Sequence, residues 1–236
     1  MVARQHIHKE QHSNKGHMLR ELILGGQDGL VNVLGIILAI ATATQDVRIV
    51  IIAGLAATFA ESISMAAVAY TSSKAMKEFY NSELEREKKE MKEVPERERE
   101  EIRDIFYKKG FRGPLLAQVV RKITSNKKLW LNTMMEEELR LYPEKDSPTK
   151  QAFVVGVSAI IGSIIPIMPF FFLPTGTGII YSLIISTIAL FATGVIKNRI
   201  TIGHPVRGGI EMAVIGMISA IIGYGIGAVL GVAMGI

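Results

Sequence analysis

Acidic side chains with helical spacing are the residues of this chain best suited to chemistry. Glu87 and Glu90 stand three positions apart in a charged stretch, and Glu98 and Glu101 repeat that spacing after Pro95. Residues three apart share a helix face, and a hairpin at a proline can set two such faces opposite each other. Converging carboxylates can hold a divalent cation. The alternative is a solvated surface in which acidic and basic side chains pair, which is typical of Glu- and Lys-rich helices.

A second group of residues lies further along the same charged stretch. Met134 and Met135 precede Glu138 by four and three positions, so that two thioethers and one carboxylate converge on one side of a predicted helix. Carboxylate oxygens suit hard or borderline divalent cations, whereas methionine sulfur favours softer ones. The mixed set therefore fits Fe²⁺ or Mn²⁺ and fits Mg²⁺ alone poorly.

A third group lies inside two apolar segments. Asp28 and Asn32 are one helical turn apart in the first segment, and Glu61 and Met65 are one turn apart in the second. If the segments are antiparallel helices, a rise of about 1.5 Å per residue places Met65 near the depth of Asp28. Ionisable groups in hydrocarbon usually line a polar path. Alternatively, Asp28 caps or pairs with a neighbouring helix and Met65 fills a core, as most methionines do.

Five apolar segments and one charged insert must position these groups. Of the 236 residues 49% are hydrophobic, and they are concentrated in blocks long enough to cross a bilayer as helices. The predicted spans are residues 22–44, 48–72, 151–173, 176–196 and 208–236. We therefore predict an all-α membrane protein with an amino-terminal tail (1–21), transmembrane helices 1 and 2 (22–73), a helical insert (74–150) and transmembrane helices 3 to 5 (151–236).

The distribution of Lys and Arg predicts the topology. These residues are concentrated in the tail, the insert and the turn between spans four and five, which places all three in the cytoplasm and the carboxyl terminus outside or in a lumen. This topology and contact with anionic lipid account for the net charge of +5 without a nucleic-acid partner. The tail also carries histidines at positions 6, 8, 12 and 17, which either collect metal or have no binding role. Because the chain has no cysteine, thiolate sites are excluded.

Glycines mark helix faces that are suited to close packing. Gly223, Gly227 and Gly231 are spaced four apart in the last predicted span, and Gly235 continues the series. Small residues at this spacing let helix backbones approach each other in lipid. Gly25 and its neighbour one turn on, Gly29, predict a similar contact on the first helix, including one with its copy in a partner subunit.

Four motifs in a fixed order give the chain its resemblance to a known family. They are GQDGLVN (26–32) on the first span, SISM (62–65) on the second, the Glu-rich insert, and WLNTMMEEEL (130–139) near the end of that insert. With the five spans and the position of the insert, this pattern resembles the vacuolar iron transporter family over nearly the whole chain.

The resemblance implies a homodimeric transporter, not an enzyme, that moves Fe²⁺ and sometimes Mn²⁺ out of the cytosol in exchange for protons. The cation is cargo, no prosthetic group is implied, and the path lies between the subunits. Asp28 and Met65 would be metal ligands in the membrane, with Asn32 and Glu61 beside them on the path. The insert would be a cytoplasmic metal-binding domain that uses Glu87, Glu90, Glu98, Glu101, Met134, Met135 and Glu138. The membrane would be vacuolar in a eukaryote and the plasma membrane in a prokaryote.

Two other functions fit parts of the sequence. The carboxylates would serve a membrane-anchored ferroxidase as a di-iron centre, although such helical sites normally add Glu-x-x-His motifs and the insert has no histidine. A membrane scaffold with an interaction domain would explain the glycines and the charged helices. It would give no reason for Asp28 and Glu61 within apolar spans.

Overall fold

The computed structural model describes residues 15–144, 146–201 and 203–234, and the regular secondary structure of this part of the chain is helical. Residue contacts divide it into two compact units. The insert unit is Thr71–Ser147, and the membrane unit combines the described residues up to Tyr70 with those from Pro148 onward. Most of the predicted tail, with the histidines at positions 6, 8 and 12, lies outside the described residues.

Eight α-helices follow one another along the described chain. They are α1 (Lys15–Thr44), α2 (Val47–Glu93), α3 (Pro95–Lys108), α4 (Gly113–Thr124), α5 (Lys127–Thr133), α6 (Pro148–Ile167), α7 (Thr175–Ile200) and α8 (Pro205–Met234). Among the described residues, five of these helices, α1, α2, α6, α7 and α8, are long and apolar enough to cross a membrane. The prediction of an all-α membrane protein with five spans is confirmed.

Glycines bring α1 into close contact with α6. A Cβ added to Gly25 would lie 2.2 Å from the Oγ of Ser158, and one added to Gly29 would lie 2.4 Å from the carbonyl oxygen of Ala159. Only glycine fits at such separations. The predicted tight contact at Gly25 and Gly29 is confirmed, and it is made with the small side chains of α6 in the same chain and not with a copy of α1 in a partner subunit.

The glycine series of α8 packs on another part of α1. A Cβ on Gly223 would lie 2.2 Å from the carbonyl oxygen of Gly35, and one on Gly227 would lie 2.2 Å from that of Ala39. Gly231 continues the contact one turn later, while Gly235 lies outside the described residues. The predicted close packing of this stripe is therefore a contact between α8 and α1, which fixes the position of α1 in the membrane unit.

Prolines shape the end of α6. Pro166 lies inside the helix, and its carbonyl oxygen accepts a hydrogen bond of 2.7 Å from the Oγ of Ser182 on α7. Pro169 lies in the 3₁₀ turn Met168–Phe171 that follows, and Pro174 directly precedes α7. Phe170 of this turn is buried in a cluster with Val33, Ile37, Ala41, Val50 and Ile167.

The insert unit has its own apolar core. Ile102, Ile123, Trp130 and Met134 are buried together where α3, α4 and α5 meet. Pro95 occupies the first turn of α3, where its missing N–H costs no helical hydrogen bond. The last helix of the insert, α5, begins at Lys127 and is followed by the π-helical turn Met134–Glu138.

The contact between α1 and α8 can be tested with one added methyl group. We expect Gly227→Ala to lower the apparent melting temperature of the protein in detergent by about 5 °C, since overpacking a tight contact costs roughly 1–3 kcal/mol. Gly225→Ala is the matched control, because a Cβ at Gly225 meets no atom of the described residues within 4 Å. The melting temperatures are measured by size-exclusion chromatography after heating. Equal values for the two variants would contradict the packing role of Gly227.

Candidate functional site

The first candidate site is a cavity of about 640 Å³ between α1, α2 and α8. Asp28 and Asn32 line it from α1, and Glu61 and Met65 line it from α2. The structure therefore brings together the four polar or sulfur-bearing side chains that the sequence predicted for the membrane. Small residues complete the lining, among them Gly35, Ser64, Ser219 and Gly223.

A hydrogen bond connects the two helices that carry the polar side chains of this membrane cavity. Asn32 donates from Nδ2 to the Oε1 of Glu61 at 2.5 Å, and Asp28 lines the same cavity. Asp28, Glu61 and Met65 are half-buried, whereas Asn32 is exposed in the single chain. Two carboxyl groups, one amide oxygen and one thioether form a donor set that suits a borderline divalent cation.

The second candidate site lies in the insert unit, on α2 and α3. Glu87, Glu90 and Glu98 each offer a carboxylate oxygen, and these three atoms lie within 4.8 Å of one another. The side chains of Glu87 and Glu98 are only 2% exposed, and the Oε2 atom of each has no hydrogen-bond partner among the described residues. Such burial of unpaired carboxylate oxygen is costly unless a cation or a proton compensates it.

Arg86 supplies part of that compensation. Its Nη2 atom lies 3.6 Å from the Oε1 of Glu87, and its Nε atom lies 3.9 Å from the Oε1 of Glu90. This residue was not among the predicted site residues, because it stands in a run of alternating charges where its spacing does not distinguish it from other basic residues. Its single positive charge leaves the carboxylates in excess.

Two further acidic residues act on the same cluster. Burial and the neighbouring charges of Glu101 and Glu87 raise the pKa of Glu98 from 4.5 to about 7. Burial is also the main cause of the raised pKa of Glu138, and the negative charge of Glu101 adds to it. The pKa of Glu138 therefore also rises to about 7. All five acidic residues that the sequence predicted for the insert therefore belong to one negatively charged cluster.

The two predicted methionine ligands are buried in the insert unit. Met134 is fully buried and packs in the apolar core with Ile102 and Trp130, and Met135 is 1% exposed. Both belong to the π-helical turn that ends at Glu138. The packing of Met134 is that of a core side chain, and the role of either sulfur as a ligand stays a prediction.

The model of the VIT family matches residues 19–228, which is most of the chain. The chain belongs to the VIT family. It is 32% identical over 220 residues to vacuolar iron transporter 2 of Oryza sativa subsp. japonica, which covers 92% of this chain and 89% of that protein. It is 31% identical to vacuolar iron transporter 1 of Arabidopsis thaliana, over 90% of this chain and 86% of that protein.

A third relative matches over a similar extent. The vacuolar iron transporter of Plasmodium falciparum is 30% identical over 234 residues, or 94% of this chain and 86% of that protein. Both candidate sites lie within the residues matched by the family model.

Removal of acidic residues from the insert cluster tests it as a metal site. We expect Glu98→Ala with Glu101→Ala to weaken Mn²⁺ binding by at least about tenfold, measured by calorimetry on the purified full-length protein. Glu93→Ala with Glu100→Ala is the matched control, because it removes the same charge from exposed positions. If both double variants bind Mn²⁺ as the unchanged protein does, the cluster is only a charged surface.

The raised pKa of Glu98 predicts how stability depends on pH without metal. The folded protein takes up this proton near pH 7, and the unfolded chain takes it up only near the ordinary value of 4.5. Protonation between these values favours the folded state, so the metal-free protein should become more stable as pH falls from about 8 to 5. Thermal melting should give a shallower slope for Glu98→Gln and an unchanged slope for the exposed control Glu100→Gln. An unchanged slope for Glu98→Gln would contradict this prediction.

Proposed function

We propose that this protein carries Fe²⁺, and also Mn²⁺, out of the cytosol across a membrane in exchange for protons. The observation that carries the proposal is the membrane cavity, where Asp28, Asn32, Glu61 and Met65 converge between apolar helices. Membership of the VIT family supports iron as the cargo, because the relatives are named iron transporters.

The donor set of the cavity supports this choice of cation. The carboxylate oxygens of Asp28 and Glu61 supply negative charge, and the thioether of Met65 favours a metal softer than Mg²⁺ or Ca²⁺. The hydrogen bond from Asn32 holds one oxygen of Glu61, which leaves its other oxygen for the cation. Fe²⁺ and Mn²⁺ both accept such mixed ligands.

Exchange for protons follows from the chemistry of these carboxylates. A carboxylate that takes up a proton loses the charge that binds the metal, so protons and metal compete for the same oxygens. Protons that enter from the acidic side of the membrane would displace the cation there. Their release toward the cytosol would restore the charged site. Each cycle then moves metal and protons in opposite directions.

A homodimer would complete the membrane site. In one chain Asn32 is exposed, although it belongs to the polar group of the cavity. A second copy that covers this side would place two sets of Asp28, Glu61 and Met65 on one path between the subunits. Closed two-fold symmetry is the most common arrangement of homo-oligomers.

The insert would gather the cation on the cytoplasmic side. Its carboxylates include two that are almost completely buried and only partly compensated by Arg86, and divalent metal would relieve that excess of negative charge. The insert then raises the local supply of metal, whereas the membrane residues carry it across. Loss of the insert ligands should weaken metal binding more than it weakens transport at saturating metal.

Transport by reconstituted protein tests the role of Asp28. In vesicles that contain a pH-sensitive dye, we expect Mn²⁺ entry and proton exit to depend on each other, and Asp28→Asn to reduce both at least about a hundredfold. This substitution keeps the shape of the side chain and removes its charge. Asp46→Asn is the control, because Asp46 lies between α1 and α2 and its capping bond to the Arg48 amide can be made by asparagine.

The same preparation separates transport from the alternatives. Full uptake by Asp28→Asn would contradict the proposed path. Metal binding without uptake in the unchanged protein would favour a ferroxidase or a scaffold, and oxygen consumption on addition of Fe²⁺ would distinguish these two. Size-exclusion chromatography is the control for assembly: the Asp28→Asn variant should elute at the same volume as the unchanged protein.

A further inference from the structure

The insert unit contains a cavity of about 440 Å³ between α2 and α5. It has a different character from the acidic cluster, since its lining combines basic and apolar side chains. From α2 it is lined by Lys88, Met91 and Lys92, and from α5 by Lys127, Lys128, Trp130 and Leu131. The spacing of the α2 residues, i, i+3 and i+4, places them on one helix face.

The positive charge of this cavity is poorly compensated. Lys88 pairs with the exposed carboxylate of Glu85, at 2.6 Å from Nζ to Oε1. Within the described part of the chain, no carboxylate oxygen lies within 4.0 Å of the Nζ atom of Lys92, Lys127 or Lys128. Four ammonium groups therefore surround the cavity with one acidic partner between them.

Trp130 contributes an aromatic surface to the cavity. Its side chain is 5% exposed and belongs to the apolar core of the insert unit, which holds the ring in place. The guanidinium group of Arg99 lies 5.7 Å from the centre of the ring and adds positive charge nearby. The described residues that line the cavity include no carboxylate.

We propose that this cavity binds a terminal phosphate group, either of an ester or of an inorganic phosphate. The phosphate oxygens would accept charge-assisted hydrogen bonds from the lysines, which bind phosphate as point charges. Met91 and Leu131 would contact the apolar portion of the ester. A divalent cation does not suit the cavity, because its polar lining groups are donors. The phosphate belongs either to a lipid headgroup, such as phosphatidic acid, or to a soluble phosphate compound.

Trp130 is the only tryptophan of the chain, so its fluorescence reports directly on this cavity. The full-length protein is titrated with inorganic pyrophosphate in detergent that contains a metal chelator. The emission is also compared in phosphatidylcholine nanodiscs with increasing fractions of phosphatidic acid. We expect a saturable change in emission with at least one of these probes. A response to pyrophosphate identifies a soluble source, and a response to phosphatidic acid alone identifies the lipid.

Variants distinguish a built site from general attraction to basic protein. We expect Lys127→Gln with Lys128→Gln to weaken the response at least about tenfold, because two charge-assisted contacts are lost. Lys108→Gln with Lys122→Gln removes the same charge at exposed positions outside the cavity and should leave the affinity unchanged.

Two results would overturn the proposal. One is the absence of a saturable emission change with both pyrophosphate and phosphatidic acid in the unchanged protein. The other is equal weakening by the two double lysine variants, which would reduce the effect to net charge. Because the assay contains no transported metal, its outcome is independent of whether the protein carries Fe²⁺.

Discussion

Carboxylate groups that stand close together and away from water repel one another, and both candidate sites of this protein are built on that repulsion. In the membrane unit, Asp28 and Glu61 face each other between apolar helices. In the insert unit, Glu87 and Glu98 are buried with unpaired oxygens. A structure can hold such groups only if its packing elsewhere is strong enough to offset their cost. The close packing of the helices supplies stability that offsets this cost.

In the membrane unit, close contacts between helices provide this stability. Gly25 and Gly29 bring α1 against α6, and Gly223 and Gly227 bring α8 against α1, at separations where no side chain fits. These contacts flank Asp28 and Asn32 along α1, so the helix that carries half of the polar group is held from two sides. In lipid, where apolar burial gives little drive for association, such backbone proximity is a main source of helix packing.

The sequence predicted the five spans because apolar runs of this length are rare outside helices that cross a membrane. It also predicted the meeting of Asp28, Asn32, Glu61 and Met65, because helical rise fixes depth along an antiparallel pair. It did not predict that α6 would occupy the face of Gly25 and Gly29, since small residues favour a close neighbour without identifying it. The incompletely compensated burial of Glu87 and Glu98 was equally unpredictable, because a charged run has the same composition whether its residues face water or one another.

The π-helical turn Met134–Glu138 has a consequence for how this protein tolerates changes in length. Its wider turn, closed by the bond from the Leu139 amide to the Met134 carbonyl, holds one more residue than an α-helical turn would. One residue corresponds to a rotation of about 100° around the helix axis. A deletion of a single residue here would convert the wide turn to α-helical geometry and leave the direction of Glu138 almost unchanged. The same deletion in an α-helical segment would rotate every side chain that follows by that angle. The turn is therefore a place in the insert where the loss of one residue disturbs the acidic cluster little.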